Sequence, residues 1–399
     1  MKAILVLIFV LAAVFIGYRL TFRGVRLPFA ARHLQLSGHE FILLGLVLGP
    51  LFLDVLDAET QKGLAPLSSL LLGWIGFLFG FQFEARKLAR MPSAELATAA
   101  LESLFTLTVV FAVSFLALRH LLGVDGMINV LFSLCLGSAA ATTAQPVVHL
   151  AAGQARSGAR TTVRLLRSIS SVDGIFALVA YAVVFLVRPA LRAMEAPLSV
   201  VAGETLIFLV VFTALVTMFL LLFNPRGDAP AVLLLVVGMI LLTSGLAATR
   251  GFSTLCTNFL LGLVLVNVAP VKERIYKVVE SLEKPFYLLL LIFVGAAFAA
   301  DEPLVYLGAL GYWACRFLGK AGGGLLAQKT IPALSDQPRS MGLGLLGDGG
   351  LAVAVAYDFL SAFPGRHAAM ISGMIVVSVV LNGFLAPTLA ARVFRRAAP

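Results

Sequence analysis

The sequence has little charge for its length. Aspartate, glutamate, lysine and arginine make up only 13% of its 399 residues, whereas apolar residues make up 60%. A soluble domain carries about twice that share of charge, so the composition excludes an ordinary soluble protein. The net charge of +10 does not indicate nucleic-acid binding, because the basic residues sit in short loops between apolar runs.

Cysteine is also scarce. The three cysteines, Cys135, Cys256 and Cys315, all lie in apolar segments. They indicate neither a disulfide framework nor a metal cluster. Nothing in the sequence indicates a cofactor.

Apolar runs of about 20 residues, the length that crosses the hydrocarbon core of a lipid bilayer, recur along the chain. The mean hydropathy is +1.01. These features predict an all-α polytopic membrane protein. We expect about thirteen spans, at residues 3–19, 36–53, 64–83, 95–118, 127–152, 163–187, 199–223, 230–249, 252–269, 281–299, 303–327, 340–362 and 368–391.

The first run, "MKAILVLIFVLAAVFIGYRL", is expected to be a retained helix, because its basic cluster follows the apolar stretch and no small-residue cleavage site is evident. Basic residues fall in alternate loops, which predicts an outside N-terminus and a cytoplasmic C-terminus. An odd number of spans agrees with that. The basic residues are Arg19, Arg23, Arg26 and Arg32; Arg86, Lys87 and Arg90; Arg156, Arg160, Arg164 and Arg167; Lys272, Arg274, Lys277 and Lys284; Lys329 and Arg339; and Arg392, Arg395 and Arg396.

Two predicted spans carry helix-breaking residues near their middles. Proline and clustered glycine release backbone groups that lipid cannot satisfy, so such breaks belong in a protein-lined cavity. Seven spans separate the two breaks, which predicts two inverted six-helix repeats, and paired broken helices point to a transporter site. The breaks contain Thr142, Thr143, Gln145 and Pro146 in span five, and Gly347, Asp348 and Gly349 in span twelve.

Asp173 is a lone carboxylate in the apolar stretch "SISSVDGIFALVAYAVVFLV". Ionisable residues inside a membrane usually mark ion or proton paths. Arg316 and Lys320 lie one turn apart on span eleven, in the matching region of the other repeat, so either is a candidate partner of Asp173. A purely structural ion pair is the alternative.

Other polar residues allow two interpretations each. Arg316 could extend its side chain to the membrane interface, and Asp348 could cap the second half of its broken helix rather than bind an ion. Glu102 in span four could lie near the site or at the headgroup boundary.

Six segments, in order, resemble the monovalent cation/proton antiporter superfamily, and its second branch in particular, which includes bacterial sodium/proton and potassium/proton antiporters. They are "HEFILLGLVLGP", "LSSLLLGWIGFLFGFQFEARKL", "TSGLAATRGFSTLCTNFLLGLVLVN", "EKPFYLLLLIFVGAAF", "RFLGKAGG" and "LNGFLAPTLAARVF".

The resemblance implies crossed broken helices in a core that moves like an elevator against a dimerisation domain. It also implies a homodimer in the bacterial inner membrane. The implied division is 1–94 (dimerisation helices), 95–190 (core), 191–226 (linker), 227–302 (dimerisation) and 303–399 (core).

The resemblance places the essential acid on Asp173, the broken-helix threonine on Thr143, and the core cation on Lys320 or Arg316. A dehydrated monovalent cation would bind Asp173 together with oxygens of Thr143 and Ser170, and Asp348 is a further candidate for ion or proton binding. Three positions depart from the family pattern. Val172 and Ala144 stand where polar residues are expected, and Asp348 stands where the family more often has a neutral or basic residue, so it could restore a second acid. Val172 favours electroneutral, one-for-one exchange.

The sequence therefore predicts a secondary transporter that exchanges sodium or potassium for protons. A transporter of organic anions with the same fold, and a channel or sensor without proton coupling, remain alternatives. An intramembrane aspartyl protease fits less well. Leu345 and Leu346 together separate Gly344 from Gly347-Asp348, whereas the Gly-x-Gly-Asp motif of such enzymes has one residue there.

Overall fold

The computed structural model describes residues 2–22, 38–153, 159–192, 198–223, 228–270, 272–298, 303–363 and 365–396, and over these residues it is helical without strands. The helices are α1 (Lys2–Phe22), α2 (Glu40–Leu48), α3 (Ala58–Gly63), α4 (Ala65–Phe81), α5 (Ala85–Leu88), α6 (Ser93–Leu122), α7 (Gly126–Ala141), α8 (Gln145–Ala152), α9 (Arg160–Arg192), α10 (Leu198–Leu222), α11 (Ala229–Arg250), α12 (Thr254–Val268), α13 (Lys272–Glu280), α14 (Glu283–Ala296), α15 (Pro303–Thr330), α16 (Gly350–Ala362) and α17 (Arg366–Arg396). Two 3₁₀ turns occupy Pro332–Leu334 and Met341–Leu345.

Six helical segments of the described chain are long and apolar enough to cross a membrane. They are Ser93–Leu122, Gly126–His149, Arg160–Phe185, Ala202–Leu222, Ala229–Arg250 and Arg366–Arg395. The chain is thus a multi-pass, all-α membrane protein as expected, while the number of thirteen spans stays a prediction. Arg23, Arg26, Arg32 and Arg156 of the basic loops lie outside the described residues.

The second predicted span is shorter than expected. Only Glu40–Leu48 is helical, and turns follow from Gly49. Pro50 lacks a backbone N–H and restricts the residue before it, so a helix tends to stop there. Residues 36 and 37 lie outside the part that the structure describes.

The chain divides into two compact units. Unit 1 comprises Met1–Gly24, Phe41–Ala89 and Ala182–Ala297, and unit 2 comprises Val25–Glu40, Arg90–Tyr181 and Phe298–Pro399. The roles expected for the domains, dimerisation and core, stay predictions.

Unit 1 is held together by glycines that bring helix backbones into contact. A Cβ atom on Gly80 of α4 would lie 2.0 Å from the carbonyl oxygen of Phe259 on α12, and one on Gly262 of α12 would lie 2.2 Å from that of Phe77. Such close approach is how membrane helices gain van der Waals packing without a hydrophobic driving force.

Unit 2 uses the same device between α6 and α15. A Cβ atom on Gly319 would lie 3.0 Å from Thr106 Cα, and one on Gly323 would lie 3.0 Å from Glu102 Cα. The two glycines flank Lys320 along the helix. The run "GKAGGG" therefore presses α15 against α6 at the level of that lysine.

Candidate functional site

Both predicted helix breaks are present, and they touch each other within unit 2. The chain leaves helical geometry at residues 142–144, between α7 and α8, and again at 346–349, between a 3₁₀ turn and α16. The Ala144 amide donates to the Gly347 carbonyl at 2.7 Å, and the Thr143 hydroxyl donates to the Leu345 carbonyl at 3.2 Å. Backbone groups released by one break are thus satisfied by the other.

Glycine is required where the breaks meet. A Cβ atom on Gly347 would lie 2.7 Å from Val147 Cβ, and one on Gly349 would lie 2.8 Å from Ala144 Cβ. Gln145 and Pro146 begin α8 and are at least partly exposed, unlike the buried Thr142 and Thr143. Thr142 is buried, and its hydroxyl donates to the Ala139 carbonyl at 2.9 Å.

Arg316 of α15 joins the two breaks. Its guanidinium donates to the carbonyls of Ala140 at 3.0 Å and Thr142 at 2.7 Å on the first break, and to that of Leu346 on the second. The side chain is fully buried, so the interpretation that Arg316 reaches the membrane interface is wrong. Its planar fork of donors suits this task.

Asp348 is the carboxylate partner of Arg316. Its Oδ1 lies 2.7 Å from the guanidinium, and its Oδ2 accepts from Asn382 Nδ2 at 2.5 Å. The N-cap of α16 is Gly349, without a side-chain cap, so the capping interpretation is wrong. Ion binding by Asp348 stays a prediction. Its Oδ1 lies in the ion pair with Arg316 but meets no hydrogen-bond geometry in the described part of the chain.

Lys320, one turn further along α15, lies in a second, adjoining group. Its ammonium donates to the Ala141 carbonyl at 2.7 Å, to the Thr143 hydroxyl at 3.0 Å and to Glu102 at 3.1 Å. Lys320 and Glu102 are both fully buried.

Asp173 of α9 faces this ammonium. Its Oδ2 lies 3.7 Å from Lys320 Nζ and has no hydrogen-bond partner among the described residues. Over the ranges that the structure describes, Lys320 is therefore the basic residue within 4 Å of Asp173, while Arg316 pairs with Asp348. A buried oxygen without a donor is costly, so a proton or cation bound at Oδ2 of Asp173 would relieve that cost.

The remaining predicted ligand is less directly engaged. Ser170 is buried, but its hydroxyl donates to the Arg167 carbonyl of its own helix at 3.1 Å. Val172 packs in an apolar cluster of unit 2 and supplies no polar group. Its burial shows that the departure at this position is accommodated by packing.

Sequence reasoning left Glu102 unassigned. It lies inside the 30-residue helix α6, and it is as buried as Asp173 and Lys320. The rule that selected Asp173, an acid within an apolar span, applies equally to Glu102.

Two comparisons with known proteins, one with a family model and one with solved structures, point to the same kind of protein. The family model "Sodium/hydrogen exchanger, transmembrane" matches residues 10–392. The fold is similar to that of the sodium proton antiporter MjNhaP1 from Methanocaldococcus jannaschii, solved at pH 8, with a TM-score of 0.64 and 14% identity over 100% of this chain and 99% of that one. A sequence comparison with curated proteins finds no significant match.

The family match spans nearly the whole chain, from the first helix to the last. It makes the chain a transporter for cation/proton exchange and not an enzyme, so the protease alternative is wrong. The chain belongs to the sodium/hydrogen exchanger family.

Proposed function

We propose that this protein exchanges one monovalent cation, sodium or potassium, for one proton, with Asp173 as the carboxylate that binds either. The proposal is carried by the charge balance of the buried cluster. Two positive side chains face three carboxylates, so one negative charge is left over when all are ionised. The five residues are Arg316, Lys320, Glu102, Asp173 and Asp348.

One proton or one monovalent cation neutralises that remaining charge. Moving a net charge through the membrane is costly and depends on the membrane potential. A core whose cation-loaded and proton-loaded forms have the same charge can carry its site from one side of the membrane to the other in either form. The exchange is therefore electroneutral.

The cation would be bound by oxygen atoms, as hard cations prefer. Asp173 supplies a carboxylate, and Thr143 supplies a hydroxyl that already accepts from Lys320 at 3.0 Å. Carbonyls of the two breaks complete the coordination. Sodium is the first ion to test, because the family description and the similar structure both name it.

Transport follows alternating access, with unit 2 as the moving core and unit 1 as the dimerisation domain of a homodimer. Support comes from the hydrogen bonds between the breaks. Arg316 donates to carbonyls on both of them, so the two breaks would move as one body. The basic loops favour a cytoplasmic C-terminus, and a bacterial inner membrane is the expected location.

The test is proton release driven by sodium or potassium in proteoliposomes, with wild type compared with Asp173→Asn. We expect the variant to lose exchange with both ions. Asp358→Asn is the matched control, since Asp358 is equally buried in unit 2 but accepts from Tyr181 at 3.0 Å. Exchange that persists in Asp173→Asn contradicts the proposal, as does exchange that requires an added organic anion.

A further inference from the structure

We propose that Glu102 is a positioning residue that holds the charge of Lys320, so that Asp173 remains available for the cation or proton. This inference rests on the proposed function. It assigns to α6 a direct part in a site otherwise built from the two breaks, α9 and α15.

The first support is the use of the lysine donors. An ammonium has three N–H groups, and three partners lie within hydrogen-bond distance: the Ala141 carbonyl, the Thr143 hydroxyl and Glu102. Asp173, at 3.7 Å, lies beyond hydrogen-bond distance. Asp173 is thus attracted by the positive charge of Lys320 but accepts no hydrogen bond from it.

The second support is the symmetric contact between Glu102 and Lys320. The ammonium lies 3.1 Å from both carboxylate oxygens of Glu102. The Thr106 hydroxyl donates to Oε1 of Glu102 at 3.1 Å. A buried carboxylate with this many donors is held in one position.

The third support is the backbone around the pair. Gly319 and Gly323 lie on either side of Lys320, against Thr106 and Glu102 of α6. Larger residues would push α15 away from α6. The helix spacing is therefore matched to the length of this ion pair.

The pair of Glu102 and Lys320 affects cation binding because it sets the net charge of the site. Without the Glu102 carboxylate, two positive side chains would face two carboxylates, and the empty site would be neutral. A cation would then have to displace the lysine charge from Asp173, so it would bind more weakly. Val172, the apolar neighbour of Asp173, cannot supply the missing charge.

The experiment measures sodium-driven proton release at alkaline pH, where protons compete least with sodium. We expect Glu102→Gln to raise KM for sodium about tenfold or more with kcat little changed, since such a split marks weaker binding rather than a slower step. Glu102→Asp keeps the charge and should recover most of the affinity. Glu95→Gln is the matched control, because Glu95 lies on the same helix and the cation paired with it, Arg164, is exposed and 3.9 Å away.

A second variant keeps the test decisive if Glu102→Gln does not fold. The double variant Glu102→Gln, Lys320→Gln removes one charge of each sign and restores the single negative charge of the site. It also leaves no unpaired buried lysine. We expect its KM for sodium to lie close to the wild-type value, an effect that a merely structural pair would not produce.

The outcomes separate the two proposals. A wild-type KM in Glu102→Gln, or a KM raised about tenfold above wild type in the double variant, overturns the positioning role while the loss of exchange in Asp173→Asn still supports the proposed function. Exchange that survives in Asp173→Asn overturns the proposed function, whatever Glu102 does.

Discussion

The two units pack their helices in the same way but bury different chemistry. In unit 1, glycines on α4 and α12 bring backbones together, and the polar residues buried near them are neutral: Asn258 accepts from Thr243 at 2.7 Å and donates to Ser244 at 3.0 Å. In unit 2, glycines on α15 do the same, but the residue between them is a buried lysine.

Burying charges stabilises a protein less than apolar packing of the same volume. The contact between α4 and α12 shows that this chain can pack helices closely with neutral groups around the glycines. The charges that unit 2 retains are therefore best explained by function. Each prediction below tests this contrast.

The largest effect is expected in the charged cluster. Arg316→Met leaves Asp348 without its guanidinium and several break carbonyls without a donor, and breaking a buried pair in this way costs about 3–5 kcal/mol of unfolding free energy. Thermal unfolding in detergent measures it. Adding Asp348→Asn should recover part of the loss, and a double variant no more stable than the single one would contradict the pairing.

A smaller loss is expected in the glycine contacts of unit 1. Gly80→Ala forces α4 away from the Phe259 carbonyl, 2.0 Å from the new Cβ, and overpacking of this kind costs about 1–3 kcal/mol. Gly238→Ala in α11 is the control, because its Cβ would meet nothing within 4 Å. Equal melting temperatures for the two variants would show that the close approach is not needed.

The glycines of unit 2 should affect transport more than stability. Gly323→Ala moves α15 by a few tenths of an ångström relative to Glu102, and such a displacement of a site raises KM for sodium by about threefold. Gly311→Ala on the same helix has open space around it and should leave KM unchanged. If both variants behave alike, the spacing between α6 and α15 does not position the ion pair.

The smallest effect is expected at Glu84, in the loop after α4. The hydrogen bond from Lys272, helped by a second from Lys87, holds the pKa of Glu84 below its ordinary value of 4.5. A carboxylate with a lowered pKa stabilises the fold above its ordinary pKa, and this contribution is lost as pH falls through the lowered value.

Glu84→Gln should therefore melt slightly earlier than wild type at neutral pH, and the difference should shrink well below pH 4.5. Melting temperatures across pH measure it, and sodium transport should not change. A difference that grows on acidification would contradict the assigned sign.

Sequence alone predicted the elements that have a local signal. Pro146 and the glycines around Asp348 indicated the breaks, and the rarity of charge inside spans selected Asp173 and Lys320. Which carboxylate each basic residue pairs with could not be predicted. Arg316 and Lys320 lie one turn apart on the same helix, and only the folded structure shows that Arg316 reaches Asp348 and Lys320 lies near Asp173. The position of Glu102 depends on the glycine contacts between α6 and α15, which no single segment encodes.

The central claim is that the buried cluster has one uncompensated negative charge and exchanges one cation for one proton. The most direct test is the balance point in proteoliposomes. Sodium and proton gradients that point the same way drive the exchange in opposite directions, and the condition of no net flux is measured at several imposed membrane potentials. We predict that, at every potential, net flux is zero when the inside-to-outside concentration ratio of sodium equals that of protons. A balance point that shifts with potential would contradict the account.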